Sequence, residues 1–175
     1  MAFGVLVAIA VVGVVSIAAA VPFLDERPTP LPDHATADSI VVEKSAHRLS
    51  LLKDGQVLRT YRVSLGRGGS APKSREGDAR VPEGTYSVDR RNPRSWFHLA
   101  LHVSYPSAAD AAAALAHGVR AGSDIEIHGL PTGLGWIGSW HRALDWTAGC
   151  IAVTNGEMDE VWRVVPDGTP IIIRH

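Results

Sequence analysis

Sulfur is scarce in this chain of 175 residues, which has one cysteine and two methionines. A lone Cys150 cannot form an intramolecular disulfide, so no disulfide framework supports the fold and cysteine usage does not report the redox compartment. An excess of one charge is also missing, since 17 Lys and Arg stand against 18 Asp and Glu for a formal net charge of −1. Without a positive field to track phosphates, nucleic-acid binding is excluded as the main activity. There is no CxxC and no HExxH. A zinc site assembled from His128, His141 and Cys150 has no supporting spacing, so neither a metal nor another cofactor is expected. No internal repeat is present, and no oligomer is predicted.

What the chain does have begins at its front. From Ala2 to Leu24 no residue is charged, which is long enough for a helix of about 20 residues to cross a bilayer. Residues 1–24 are read as a signal-anchor or signal peptide forming one hydrophobic helix. Ala18, Ala19 and Ala20 offer small residues for cleavage, but no Lys or Arg precedes the apolar run and its length favours an uncleaved anchor. Pro22, Pro28, Pro30 and Pro32 then break regular structure, so 25–37 reads as a Pro-rich tether. The folded unit is expected over 38–175, either joined to a membrane through the helix or secreted, and placed outside the cytoplasm, in the cell envelope on its periplasmic face.

The rest reads as mainly β with short helices, an α+β domain. Ser39 to Lys44 and Arg48 to Lys53 are β-rich, and Lys53-Asp54-Gly55-Gln56 supplies a hairpin turn before Val57 to Leu65. Gly66 to Arg80 is a long loop, followed by strands over Thr85 to Asp89 and Phe97 to Val103. Ser107 and Asp110 form an N-cap pair for a helix ending near His117 and Gly118. Asp124 to Ile127 is a strand that delivers His128 at its end. Gly129 to Trp146 is irregular and carries Trp136, Trp140 and Trp146. Asn155 is expected to cap a helix to about Val165, and Pro170 to Arg174 closes the domain as a strand.

The chemistry points to Cys150, within Thr147-Ala148-Gly149-Cys150-Ile151. A free thiol is only a few per cent thiolate at neutral pH, so a nucleophilic cysteine needs an imidazole to take its proton. His128 is the candidate base, and His141, nine residues before Cys150, is the competing one. Backbone N–H groups around Gly149 and Cys150 are candidate donors to an oxyanion. The alternative is a buried, inert thiol. His98, His102 and His117 stand outside any spacing that chemistry demands. The basic residues Arg67, Lys73, Arg75, Arg90, Arg91 and Arg94 read as solvated loop charge or as a surface for acidic peptides.

Ile127-His128-Gly129 followed by Thr147-x-Gly149-Cys150-Ile151 resembles the catalytic signature of the L,D-transpeptidase (YkuD-type) family. Pro82-Glu83-Gly84-Thr85-Tyr86, Ser104-Tyr105-Pro106, Asp145-Trp146-Thr147 and Pro166-Asp167-Gly168-Thr169-Pro170 extend the resemblance through most of the domain. It implies a β-sandwich-like fold, with Cys150 as nucleophile and His128 as proton acceptor and donor. It also implies peptidoglycan stem peptides as substrate, with Thr147, Gly129, Trp146, His141 and Tyr105 as substrate-binding candidates. Two departures stand out. Many members have a second histidine before Gly-Cys where this chain has Ala148, and Ala152 and Val153 follow Ile151 where many members carry Arg or Asn. The implied activity is acyl transfer in cell wall biogenesis or remodelling. The alternatives are a cysteine L,D-carboxypeptidase, endopeptidase or amidase acting on the same peptides, and a non-catalytic wall-binding module.

Overall fold

The computed structural model describes residues 29–175, so the hydrophobic helix assigned to 1–24 lies outside the described residues. No helix among the described residues is long and apolar enough to cross a membrane. Among the described residues eight strands run in the chain order β1 (Ser39–Glu43), β2 (Arg48–Lys53), β3 (Gln56–Arg62), β4 (Gly84–Ser95), β5 (His98–Val103), β6 (Glu126–His128), β7 (Ile151–Ala152) and β8 (Pro170–Arg174). Helix α1 (Ala108–Ala116) precedes β6, a 3-10 segment (Gly135–Ala143) lies between β6 and β7, and α2 (Asn155–Val164) precedes β8. The spatial order is β3-β2-β1-β8-β4-β5-β6-β7.

The two ends of the domain meet in the middle of this array. Alternation in β1 sends Ile40 and Val42 inward while Ser39, Val41 and Glu43 are only half-buried, and β8 does the same with Ile171 and Ile173. The two strands pair in parallel, with Ile40 opposite Ile171 and Val42 opposite Ile173, so the inward residues stack on one core face. β4 is shared: Gly84 to Ser87 pair with β8, and Val88 to Ser95 pair with β5, with register shifts after Val88 and after Asn92. These bulges bend the strand and fold the array over the core. They also carry β4 past Asp89, the expected end of the strand, as far as Ser95.

The folded array closes at its rim, because Ser64, just past β3, exchanges backbone hydrogen bonds with Ala152 of β7 at 3.0 and 2.9 Å. α1 starts as expected at Ser107, with a reciprocal capping box to Asp110. The cap of α2 is Thr154, not Asn155: its hydroxyl accepts from the Glu157 amide while the Glu157 carboxylate accepts from the Thr154 amide. Asn155 is thereby free for another task. Met158, Val161 and Val164 recur at helical spacing and are at most 1% exposed, which fixes the inward face of α2.

The long loop between β3 and β4 is held by buried charge. Lys44 Nζ donates to Glu83 (2.9 Å) and to the Val81 carbonyl (3.1 Å). The Asp78 carboxylate accepts from Lys73 Nζ and from the amides of Ser74, Arg75 and Arg80. Burial opposes ionisation of Asp78, but Lys73 and the three amides outweigh it and hold the carboxyl at about 2. Lys73 is thus a fixed internal partner, not a solvated loop charge. Arg91 is likewise committed, lying 4.7 Å from the Trp162 ring and donating to the Trp162 carbonyl and Asp167.

The described part of the tether is docked on the domain. Glu160 accepts from the Leu31 amide (2.6 Å) and the Tyr61 hydroxyl (2.7 Å) and pairs with Arg59 (3.2 Å), while Arg163 donates to the carbonyls of Leu31 and Pro32. Ala37 is 1% exposed, so packing begins before residue 38. Glu160→Ala leaves three donors facing a partly dry site, and we expect it to cost about 2–4 kcal/mol. Glu160→Gln should recover part of that loss; urea denaturation of the two variants beside the parent measures both.

Candidate active site

Backbone register puts Cys150 and His128 on one face of two neighbouring strands. β6 and β7 pair in parallel, with Ile127 opposite Ile151 and His128 opposite Ala152. Ile127 and Ile151 face the core, so His128 and Ala152 share the other face, and Cys150 enters it two residues before Ala152. The His128 ring is 2% exposed. Its Nδ1 donates to the Gly129 carbonyl at 2.7 Å, which fixes the tautomer: Nδ1 carries the proton and Nε2 presents a lone pair. Phe97 packs on the ring with centroids 4.4 Å apart, and Trp146 stands edge-on at 5.8 Å.

The loop that carries Cys150 is knotted by Thr147. Its hydroxyl donates to the Cys150 carbonyl (2.7 Å) and accepts from the Gly149 amide (3.2 Å). Backbone bonds between Thr147 and both Leu65 and Arg67 staple the same loop to the strand beyond β3. Asp145 adds side-chain contacts, accepting from the Leu65 amide (2.8 Å) and meeting His47 Nε2 (3.0 Å). Asp-Trp-Thr therefore builds the loop, and Gly149 at φ 127° lets it turn.

The structure engages several of the expected site residues within the fold. The Gly149 amide, an expected oxyanion donor, donates here to the Thr147 hydroxyl. Thr147 is buried with its hydroxyl bonded to the backbone, and Tyr105 is buried with its hydroxyl donating to the Ala121 carbonyl at 3.1 Å; both hold the fold where a substrate contact was expected. Gly129 supplies a carbonyl to His128, and a Cβ there would meet Asn155 Oδ1 at 2.8 Å. Asn155 was missed as a site residue, and its Oδ1 accepts the Leu130 amide (2.8 Å) to fix the segment after His128. Of the three tryptophans between β6 and β7, Trp146 stands against His128, while Trp136 and Trp140 are 81% and 65% exposed.

The thiol is half-buried and protonated. Cys150 Sγ donates to the Asp124 carbonyl at 3.6 Å, and no hydrogen bond joins it to His128 among the described residues. Burial, with the Glu126 and Asp124 carboxylates nearby, pushes the thiol up to about 11. Burial takes His128 down to about 4, and His141 also to about 4. The resting site is thus a neutral thiol beside a neutral imidazole, not an ion pair. Sequence reasoning had no signal for Asp124 and Glu126 as neighbours, because that proximity comes from the parallel pairing of β6 with β7. Among the described residues no group of three His, Cys, Asp or Glu could hold a metal ion.

His141 is the second buried imidazole. Its Nδ1 lies 3.1 Å from Ser64 Oγ, whose hydroxyl donates to the His141 carbonyl at 2.9 Å, and its ring is edge-on to Trp146. Both histidines ionise at an ordinary 6.5 in an unfolded chain and near 4 in the fold. Between those values the unfolded state binds more protons, so stability rises with pH across the window and is lost as pH falls through it. Each histidine should contribute about 3 kcal/mol above pH 6.5 that is gone near pH 4. Urea midpoints measured from pH 7 down to pH 4.5 should fall accordingly, and His128→Asn should flatten the dependence.

Comparison with known proteins gives the family of the domain that carries this site. The L,D-transpeptidase catalytic domain family model, YkuD, matches residues 37–173. YafK of Escherichia coli (strain K12) is 34% identical over 112 residues, covering 63% of this chain and 38% of YafK, so the chain spans well under half of that relative's length. Among solved structures, the helical cell shape determining protein Pgp2 of Campylobacter jejuni superimposes with a TM-score of 0.61 at 24% identity, covering 81% of this chain and 49% of Pgp2. The L,D-transpeptidase (residues 123–326) of Xylanimonas cellulosilytica gives 0.54 at 19% identity, covering 83% and 64%. These two likenesses speak for the fold, and the family match over 37–173 decides the assignment: this chain belongs to the L,D-transpeptidase (YkuD) catalytic domain family.

Proposed function

We propose that the protein is a cysteine acyltransferase acting on peptidoglycan stem peptides outside the cytoplasm. The observation that carries the reading is the parallel β6–β7 register, which sets Cys150 beside a buried His128 whose Nε2 lone pair is fixed by the Gly129 carbonyl. Sγ attacks the carbonyl of a D-centre-bearing peptide as its proton passes to His128 Nε2. The new C–S bond forms, the C–N bond breaks, and His128 returns the proton to the departing amine. With the Gly149 amide occupied, oxyanion donation falls to the Cys150 amide. An amine then takes the acyl group in a cross-linking or anchoring reaction; water in its place gives a peptidase. The similarity to Pgp2, which is named as a determinant of helical cell shape, supports a role in wall remodelling.

A neutral resting pair suits such chemistry. No charge is paid into the buried site until substrate arrives, and transfer of the proton accompanies attack. The acylation rate should therefore be lost only below about pH 4–5, where His128 protonates.

Imipenem is bound in a solved structure of the L,D-transpeptidase LdtMt1, which makes it a probe for Cys150. Intact-mass analysis of the full chain after incubation with imipenem should show one adduct that is absent from Cys150→Ser. His128→Ala should slow its formation at least ~100-fold. An unmodified parent would remove the acyltransferase reading, and a loss confined to His141→Ala would transfer the base role to that residue.

A further inference from the structure

Strand β6 presents two titratable side chains to the face that holds Cys150, and the acyl-transfer steps above use only His128. Ile127 turns to the core between them, so Glu126 and His128 share the opposite face. In the parallel β6–β7 register Ile127 stands opposite Ile151 and His128 opposite Ala152, which puts Glu126, one step earlier, level with Cys150. The sulfur meets this end of β6 directly. Sγ donates to the Asp124 carbonyl at 3.6 Å and faces the Glu126 backbone amide, and the Glu126 carboxylate is close enough to oppose its ionisation. The nucleophile thus has a carboxylate level with it and an imidazole about 7 Å further along the same strand.

The surroundings leave this carboxylate unengaged. Across β5 and β4 the same row continues with His102, opposite Glu126, and Arg90, opposite His102. The register shift after Val88 sets Asp89 beside that row, 2.5 Å from His102 Nδ1, while Asp124 lies 3.7 Å from Arg90 Nη2 and 3.9 Å from His102 Nε2. Both Arg90 and His102 therefore have carboxylate partners other than Glu126. Among the described residues no hydrogen bond or ion pair engages the Glu126 carboxylate itself. It is half-buried, and burial raises its carboxyl above the ordinary range against the opposing pull of His102 and Arg90. A half-buried carboxylate without an internal partner is unfavourable beside a nucleophile unless a cation comes to meet it.

Resting on the acyltransferase reading above, we propose that Glu126 binds the acceptor amine as its ammonium ion beside Cys150 and takes the proton that the amine must lose before it attacks the acyl-enzyme. An α-amino group titrates at about 7.7–8.0, so near neutral pH the acceptor arrives mostly with three N–H bonds and no free lone pair. Glu126 takes the first proton, which frees the lone pair. The nitrogen then forms the new C–N bond, the C–S bond breaks, and a second proton passes through His128 Nε2 to the departing sulfur. The third N–H becomes that of the product amide. Glu126 releases its proton to water, so thiol, imidazole and carboxylate are all restored and no further reactant is needed. His128 serves the sulfur and Glu126 serves the acceptor. Water brings no charge for Glu126 to hold, so the carboxylate favours aminolysis over hydrolysis.

The test uses the full chain acylated by a peptidoglycan stem peptide, with decay of the acyl-enzyme followed by intact mass at pH 7. One acceptor is glycinamide, mostly an ammonium ion at that pH; the other is methoxyamine, which is uncharged. A small free thioester treated with the same two amines gives the intrinsic ratio of their rates. On the parent, the ratio of glycinamide to methoxyamine should exceed the intrinsic one at least about tenfold, a conservative share of what a positioned general base supplies. Glu126→Gln keeps the shape of the side chain but not its charge or basicity, and should bring the ratio within about twofold of the intrinsic value. A merely structural role for Glu126 would instead lower both rates together. A parent ratio equal to the intrinsic one, an enhanced ratio that survives in Glu126→Gln, or a parallel loss of both rates would each overturn the assignment. Should the Gln variant not fold, Glu126→Ser carries the same expectation and the same risk. Absence of any acyl-enzyme on the parent would instead sink the reading on which this inference rests.

Discussion

The arrangement of the site depends on one contact between backbones. A Cβ at Gly66 would lie 2.2 Å from the Ala79 carbonyl oxygen and 3.0 Å from the Gly149 Cα, and one at Gly149 would lie 2.8 Å from the Arg80 carbonyl oxygen. Three segments far apart in sequence thus pass within van der Waals contact with no side chain between them. The strand beyond β3, the end of the charged loop and the cysteine loop meet there, and neither glycine tolerates even a methyl group at its present spacing. Lys44, Lys73 and Asp78 serve the same contact at one remove, because they fix the loop that brings Ala79 and Arg80 into place.

From that contact follows the electrostatic state of the cysteine. Drawing the loop inward seats the thiol at the entrance to β6, next to the Asp124 carbonyl and the Glu126 strand, where burial and two carboxylates oppose ionisation. The same closure buries His128 against Phe97 and Trp146 and opposes its protonation. Each partner of the dyad is held neutral for the same reason, a lack of water. A site of this kind withholds reactivity from the empty enzyme and confines proton transfer to the moment when substrate charge can be matched.

Much of the architecture was legible in the chain. Alternation in β1 and β8, the Asp54-Gly55 turn and the Ser107 capping pair are local signals, read within a few residues, and they appear where the pattern puts them. His128 at a strand end and Cys150 after a glycine were also readable, because a strand end and a turn each have a sequence signature. What stayed hidden was long-range. The bulges that prolong β4, the docking of the tether on Glu160, the proximity of Glu126 to Cys150, and the diversion of the Gly149 amide to Thr147 all arise from pairings between distant segments. Thr147 shows the difficulty best: a threonine three residues before a nucleophile reads equally as a substrate contact or a loop clamp, and only the two hydrogen bonds to Gly149 and Cys150 decide.

The replacement of a second histidine by Ala148 takes on a different meaning in this light. A ring attached at 148 would have to leave a loop whose neighbours, Thr147 and Gly149, are buried and hydrogen-bonded to each other. In this chain an imidazole reaches the region from a separate element, the 3-10 segment, whose kink at Gly138 (φ 53°) permits its path. His141 is tied to Ser64 twice, through its ring and its own carbonyl, so its position is set by the closing rim of the sheet and not by the cysteine loop. Separating the two tasks has a mechanical consequence. The loop is shaped around Cys150 by Thr147, while the His141 ring is held by Ser64 and its own 3-10 segment.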